Sequence, residues 1–462
     1  MVDCAAGKEP VCRAGPRAPG GALVGARGPV YTALPMIAPR LSLPLVALVA
    51  VAGCKKEPPP QPPQPVVEAP KPEQEASPAP ACDYLVLVDA GSTGTRAYTF
   101  KITPGEGGTL PTIAQVSAHK AEGGIASFKA EPAKAGAQVA ELLKQEGGAL
   151  ATIPAACHGK TPTAVMATGG MRLLEGESGG DAAAKGIYDA ITASIKETGL
   201  DARFAGTISG QQEAVYAWLS TNYALGKLAG DGATDGALDL GGVSAQIAFV
   251  PAEAGDAPTI AVKLGGKTFN LYAQSYAGYG VEYARPHLNY DACFPKGVGK
   301  GTGNYKACAT KLDASLKPAS CGGARCGLAT PGDAKAAGTL QPALPAGAKF
   351  HTFGVYTKVA GFFTLPETAT PAALAEAAGG KNGKGGYCGT PIKQSVTQHQ
   401  GVDARVLENE CFDAAWAGSL LKGFGFAADT DALVWADKLG EFDASWALGA
   451  ALCSVTGCLS AK

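Results

Sequence analysis

Two segments of this chain, with their aspartates 150 positions apart, follow one pattern. Each has a short apolar run, an aspartate, glycines with a hydroxyl side chain, and a second apolar run. The first is Tyr84-Leu-Val-Leu-Val88, then Asp89-Ala-Gly-Ser-Thr-Gly-Thr-Arg96, then Ala97-Tyr-Thr-Phe-Lys-Ile102. The second is Gly236-Ala-Leu-Asp-Leu-Gly-Gly-Val-Ser-Ala-Gln246, then Ile247-Ala-Phe-Val250. Short β-favouring runs bounded by glycine read as buried strands, so each segment predicts a strand, a glycine turn and a strand. Glycine admits positive φ and close backbone approach. Successive N–H groups in such a turn face an anion. Ser92, Thr93 and Ser244 add hydroxyls, and Asp89 and Asp239 suit a divalent cation, directly or through its waters. One such segment could equally be a tight capped turn. Two, at domain-sized separation, predict related halves facing across a cleft that grips phosphates from both sides. Neither is a Walker A site, because no G-x-x-x-x-G-K-S/T occurs.

Two further segments lie between them. Ala164-Val-Met-Ala-Thr-Gly-Gly-Met-Arg-Leu-Leu174 predicts a strand ending at Thr168 and a helix opening after it. Asp181 to Lys196 has apolar residues at helical spacing. In Gly206-Thr-Ile-Ser-Gly-Gln-Gln-Glu-Ala-Val-Tyr-Ala-Trp-Leu219, Ser209 is placed to cap a helix carrying Glu213 in its first turns. A carboxylate there either complements the helix N-terminus or faces a cleft to orient and deprotonate a water.

The N-terminal eighty residues have a different character. Met36-Ile-Ala-Pro-Arg40 precedes the uncharged run Leu41–Gly53, long enough for a signal-peptide core and too short to span a membrane. The run ends in Val51-Ala52-Gly53-Cys54. Residues Lys55–Pro80 hold 10 prolines among 26 positions and read as an extended spacer. The folded part is expected from Cys82 to Lys462. It has an even ten cysteines, which in an exported chain predicts up to five disulfides. The C-x4-C pairs Cys321/Cys326 and Cys453/Cys458 are candidates for small closed loops. Five histidines, none in ligand spacing near these pairs, disfavour zinc. The 39 basic residues against 40 acidic ones leave no basic field for nucleic acid.

Taken in order, DAGSTGTR (89–96), ATGGMRLL (167–174), ISGQQEAVYAWLSTNYALG (208–226) and ALDLGGVSAQIAF (237–249) resemble the first four apyrase conserved regions of the ecto-nucleoside triphosphate diphosphohydrolases. Asp443-Ala-Ser-Trp-Ala-Leu-Gly449 resembles the fifth, and Leu271–Gly280 the stretch after the fourth. The resemblance covers about residues 84–452. It implies an α/β chain of the two-domain actin, hexokinase and RNase H-like type, with mixed sheets and a nucleotide cleft between the domains. The expected divisions are a signal region 1–54, with translation starting at Met36, and a linker 55–81. Domain I would take 82–208, domain II 209–430, and a return to domain I 431–462. The implied activity is Ca²⁺- or Mg²⁺-dependent hydrolysis of terminal phosphates from nucleoside tri- and diphosphates. Carried over by residue, Glu213 is the base, with Thr168 and Gln246 helping to bind metal waters or place the nucleophile. Ser92, Thr93 and Gly94 form the first phosphate loop, and Gly241, Gly242, Val243 and Ser244 the second. Asp89 and Asp239 hold the metal's water shell, near Trp446. Tyr356 is the candidate for stacking the base. Val51–Cys54 resembles the bacterial lipobox, which implies lipidation of Cys54; Lys55 follows it in place of the aspartate that often retains lipoproteins at the inner membrane, so the outer membrane is expected. An ordinary secretory signal is the alternative. A monomer is expected.

The second region departs from the family's usual ATAGMR by Gly169, and the third reads QQE for QEE. Val243 and Ala245 replace smaller or hydroxyl residues in the fourth. Rival readings are an exopolyphosphatase of the same superfamily, a sugar or acetate kinase, and a nucleotide-binding lipoprotein without catalysis.

Overall fold

The computed structural model describes residues 81–230, 232–253, 255–316, 328, 340–383 and 385–459. Cys54, the proline-rich spacer and the Cys321/Cys326 pair lie outside the described residues.

Two mixed sheets carry the fold. The first contains β1 (Tyr84–Ala90), β2 (Gly94–Thr103), β3 (Thr112–Glu122), β4 (Pro162–Ala167) and β5 (Asp201–Thr207), in the order β3-β2-β1-β4-β5. The second contains β6 (Gly236–Leu240), β7 (Ser244–Phe249), β8 (Ile260–Leu264), β9 (Lys267–Ala277), β10 (Phe350–Gly354) and β11 (Leu433–Val434), in the order β11-β10-β6-β7-β9-β8. Three antiparallel strands in the first sheet, and four in the second, continue into two parallel ones. Apart from β8, one sheet repeats the other: β1, β2, β3, β4 and β5 correspond to β6, β7, β9, β10 and β11. The repeat extends to register. Asp89 pairs with Arg96 as Asp239 pairs with Gln246. The two turns close with matching bonds, Gly91 N–H to the Gly94 carbonyl at 3.0 Å and Gly241 N–H to the Ser244 carbonyl at 2.9 Å.

The cores follow from this plan. Helices Pro132–Lys144 and Gly180–Glu197 cover one face of the first sheet with Val139, Leu143, Ile187 and Ile191. Helix Ala404–Phe424 packs Phe412, Trp416 and Leu420 in the core of the second. A third core joins residues of both sheets, such as Leu87, Phe100, Ala248 and Phe353, around helices Gly210–Ala224 and Ala447–Thr456. The first of these helices is buried at every position from Glu213 to Asn222, as a helix enclosed on all sides must be. Its close crossing with the second depends on Gly449, where a Cβ would lie 2.0 Å from the Tyr216 carbonyl oxygen.

Disulfides join Cys82 to Cys157, Cys293 to Cys308, Cys388 to Cys411 and Cys453 to Cys458. The last closes the short loop expected of that pair. No helix among the described residues is long and apolar enough to cross a membrane.

Candidate active site

The two glycine turns meet. A Cβ on Gly242 would lie 2.4 Å from Ser92 Oγ and 3.0 Å from Thr93 Cγ2, so the loops touch only because position 242 has no side chain. Beside them opens a cavity of about 330 Å³. Asp89, Ser92, Thr93, Thr168, Glu213, Asp239, Gly241, Gly242 and Trp446 all line it. The hairpins, the helix starts and the C-terminal segment therefore supply one site, although they are far apart in sequence.

Glu213 is held in place by its own helix. Ser209 Oγ accepts the Gln212 N–H at 3.1 Å, and the Gln212 side chain accepts the Ser209 N–H at 2.9 Å. This capping box fixes the first turn. Glu213 Oε2 accepts Arg172 Nη2 at 2.8 Å and Gln246 Nε2 at 3.0 Å. Oε1 takes no hydrogen bond from the described residues. Arg172 also donates to the Ile208 carbonyl at 2.9 Å and to Ser244 Oγ at 2.9 Å. It thus ties the carboxylate to the second glycine loop. Burial raises the Glu213 pKa, and the Arg172 charge opposes that shift. Arg172 stands in the quoted ATGGMRLL motif without an assigned role. A buried carboxylate needs a cationic partner, and the arginine of the short helix Gly169–Glu175 was the signal for one.

Asp89 and Asp239 are 6% and 8% exposed. Burial, set against Arg96 at 3.7 Å and reinforced by Glu213, pushes the Asp89 carboxyl up to about 7. Burial and then the charges of Glu213 and Asp89 push Asp239 up to about 8. These three carboxylates line one cavity, and Asp239 is in no ion pair among the described residues. That donor set fits a divalent cation. Among the described residues, no three His, Cys, Asp or Glu side chains are close enough to cage a bare ion. The fit is therefore to an ion that keeps much of its water shell, as Mg²⁺ does.

The other expected site residues divide. Thr168 lines the cavity, and its hydroxyl does not cap the helix that follows. Trp446 lines it too, with its ring stacked on Tyr216 at 6.3 Å between centroids. Gly94, Val243, Ser244 and Gln246 are not among the residues that line it. Gly94 begins β2 opposite Glu122. Ser244 Oγ is occupied by Arg172 and by Gln246 at 2.8 Å. Val243 packs against Gly169, where a Cβ would come within 2.8 Å of the valine Cβ. The two departures from the family motif, a smaller residue at 169 and a larger one at 243, are thus spatial complements.

Tyr356 requires a correction. It is 0% exposed, its ring lies edge-on to Trp435 at 6.2 Å, and its hydroxyl is buried without a partner among the described residues. No ring face is open to a base. The preceding Val355 reaches the cavity instead. The turn Gly354 sets this phase: it has φ +69°, and a Cβ there would meet the Leu240 carbonyl oxygen at 2.4 Å. The cavity wall also includes Arg96, Lys120 and Lys358, to which the sequence assigned no role.

The model of the GDA1/CD39 (nucleoside phosphatase) family matches residues 79–293 and 288–460. Mouse ectonucleoside triphosphate diphosphohydrolase 1 is 25% identical over 425 residues, 79% of each chain. The Arabidopsis thaliana protein named "Probable apyrase 3" is 30% identical over 417 residues, covering 80% of this chain and 82% of its own. A solved structure of nucleoside triphosphate hydrolases from Neospora caninum aligns with a TM-score of 0.56 at 14% identity, over 80% of this chain and 92% of that one. At that identity it shows the fold alone. By sequence over nearly all its described residues, the chain belongs to the GDA1/CD39 (nucleoside phosphatase) family.

Proposed function

We propose that this protein hydrolyses the terminal phosphates of extracytoplasmic nucleoside tri- and diphosphates, with Glu213 as the base that activates the attacking water. One observation carries the reading. Glu213 lines the cavity beside two touching glycine loops, with Oε2 held by Arg172 and Gln246 and Oε1 left to receive a proton. Phosphoryl transfer consists mostly of positioning and stabilisation of spread negative charge. Ser92, Thr93 and the backbone of Gly241 and Gly242 are placed to bind and orient the phosphates. Arg172 keeps Glu213 aimed and counters the burial that would otherwise favour its protonated form. Asp89 and Asp239, with Thr168 and Trp446 nearby, would hold a hydrated Ca²⁺ or Mg²⁺. Such an ion, when bound, supplies charge neutralisation at the phosphate oxygens. Export and a lipid anchor at Cys54 complete the proposal. They are supported by the lipobox-like Val51–Cys54 and by relatives whose printed names mark them as ecto-enzymes.

The test is phosphate release from ATP, ADP, AMP and polyphosphate, each with Ca²⁺, Mg²⁺ or EDTA, beside Glu213→Gln. The expected result is metal-dependent release from ATP and ADP but not AMP. Glutamine keeps an oxygen for Arg172 and Gln246 but cannot take the proton, so turnover should fall ~10²–10⁴-fold with nucleotide still bound. Release from polyphosphate alone, or full turnover in the variant, would overturn the reading.

A further inference from the structure

The cavity is electrically divided. Its wall carries Asp89, Glu213, Asp239, Asp437 and Asp443, and also Arg96, Lys120 and Lys358. Arg96 and Lys120 are cross-strand neighbours on β2 and β3 of the first sheet. Lys358 comes from the other half, on helix Val355–Phe362, which follows β10. That helix starts from Gly354, whose Cβ position lies 2.8 Å from Asp239 Oδ1. Lys358 is four residues further on, ~6 Å along the axis at 1.5 Å per residue. It is therefore displaced by about one helical turn from the carboxylate end, on the same cavity wall as Val355 and Thr357.

Arg96 faces Asp89 at 3.7 Å and Lys120 pairs with Glu122 at 2.5 Å. Lys358 forms no ion pair with any described residue. Burial, followed by the positive charges of Arg96 and Lys120, pulls its pKa below that of an ordinary lysine, against the smaller opposing effects of Glu122 and Asp413. A cation in that setting gains from an anion placed between the two halves.

We infer that Lys358 sets the preference for phosphate-chain length, its ammonium binding the phosphate farthest from the attacked one. This rests on the hydrolase reading above. A triphosphate with its last phosphate at Glu213 and its middle one on the loops extends its first phosphate toward Lys358. A diphosphate seated the same way has only its nucleoside there. Lys358 thus contributes to binding of triphosphates and little to diphosphates.

The experiment compares Lys358→Ala and Lys358→Arg with the wild-type enzyme on ATP and ADP. A charge-assisted bond partly screened by water corresponds to roughly 10-fold in affinity. In Lys358→Ala, KM for ATP should rise about that much, KM for ADP less than ~2-fold, and kcat for both should hold. Arginine should restore the ratio. Inhibition by inorganic tripolyphosphate should weaken in parallel, and inhibition by pyrophosphate should not. Equal losses on ATP and ADP, or an unchanged ratio, would overturn the inference while leaving the hydrolase reading intact. A wild-type enzyme inactive on both nucleotides would instead overturn the hydrolase reading, and this one with it.

Discussion

Gly169→Ala is a one-methyl change whose sign the structure decides. Position 169 opens the helix Gly169–Glu175, where propensity alone favours alanine by up to ~1 kcal/mol. The added Cβ, however, would lie 2.8 Å from Val243 Cβ and 3.1 Å from Val243 Cγ1. A branched Cβ next to the backbone cannot swing away, so the loop or the helix must shift. Overpacking of that kind costs ~1–3 kcal/mol. Val243→Ala alone removes two buried carbons, ~1.6 kcal/mol at ~0.8 per methylene. Additive behaviour would put the double variant ~3–5 kcal/mol below wild type. If the two residues compensate, the double variant loses only about one net methylene, ~0.8 kcal/mol. The coupling would then be ~2–4 kcal/mol, at the upper end of the range for touching residues or above it. The assay is urea denaturation of all four proteins, with kcat/KM measured alongside. The helix start and the second loop both border the cavity, so Gly169→Ala alone should also lower activity, and Val243→Ala should restore it. Additivity, or a stabilising Gly169→Ala in the presence of Val243, would refute the reasoning.

Two further outcomes are expected. Glu410 is 5% exposed, and burial, then the charge of Asp413, pushes its carboxyl up to about 8. The folded chain therefore keeps a proton that the unfolded chain releases above its ordinary pKa of ~4.3. Stability should fall between about pH 5 and 8 by up to ~1.4 kcal/mol per unit. Glu410→Gln should flatten that slope in urea titrations at pH 5.5 and 8, and parallel slopes would remove Glu410 as the cause. Cys54→Ala should move the protein from the membrane to the soluble fraction, and continued sedimentation with membranes would end the lipid-anchor reading.

Much of the fold was legible because its signals are local. The strand and glycine runs at 84–102 and 236–250 gave both hairpins, and their likeness indicated the repeat that the sheet orders display. Ser209 announced its cap because a hydroxyl before Gly210-Gln-Gln satisfies free N–H groups within one turn. Tyr356 failed for an equally plain reason. Its phase depends on the positive φ of Gly354, and a one-residue change of phase at a strand–helix junction exchanges the cavity for the core.

By itself, the sequence determined the types of group available: glycine turns for phosphate, aspartates at strand ends, and a glutamate on a capped helix. Those choices depend on backbone freedom and charge, which short segments carry. Only the tertiary structure decided the pairings. It put Arg172 on Glu213, Val243 in the space left by Gly169, and Lys358 in the lining of one cavity with Arg96 and Lys120. Such contacts join residues far apart in the chain, and their energies arise from distances that exist only once both sheets are in place.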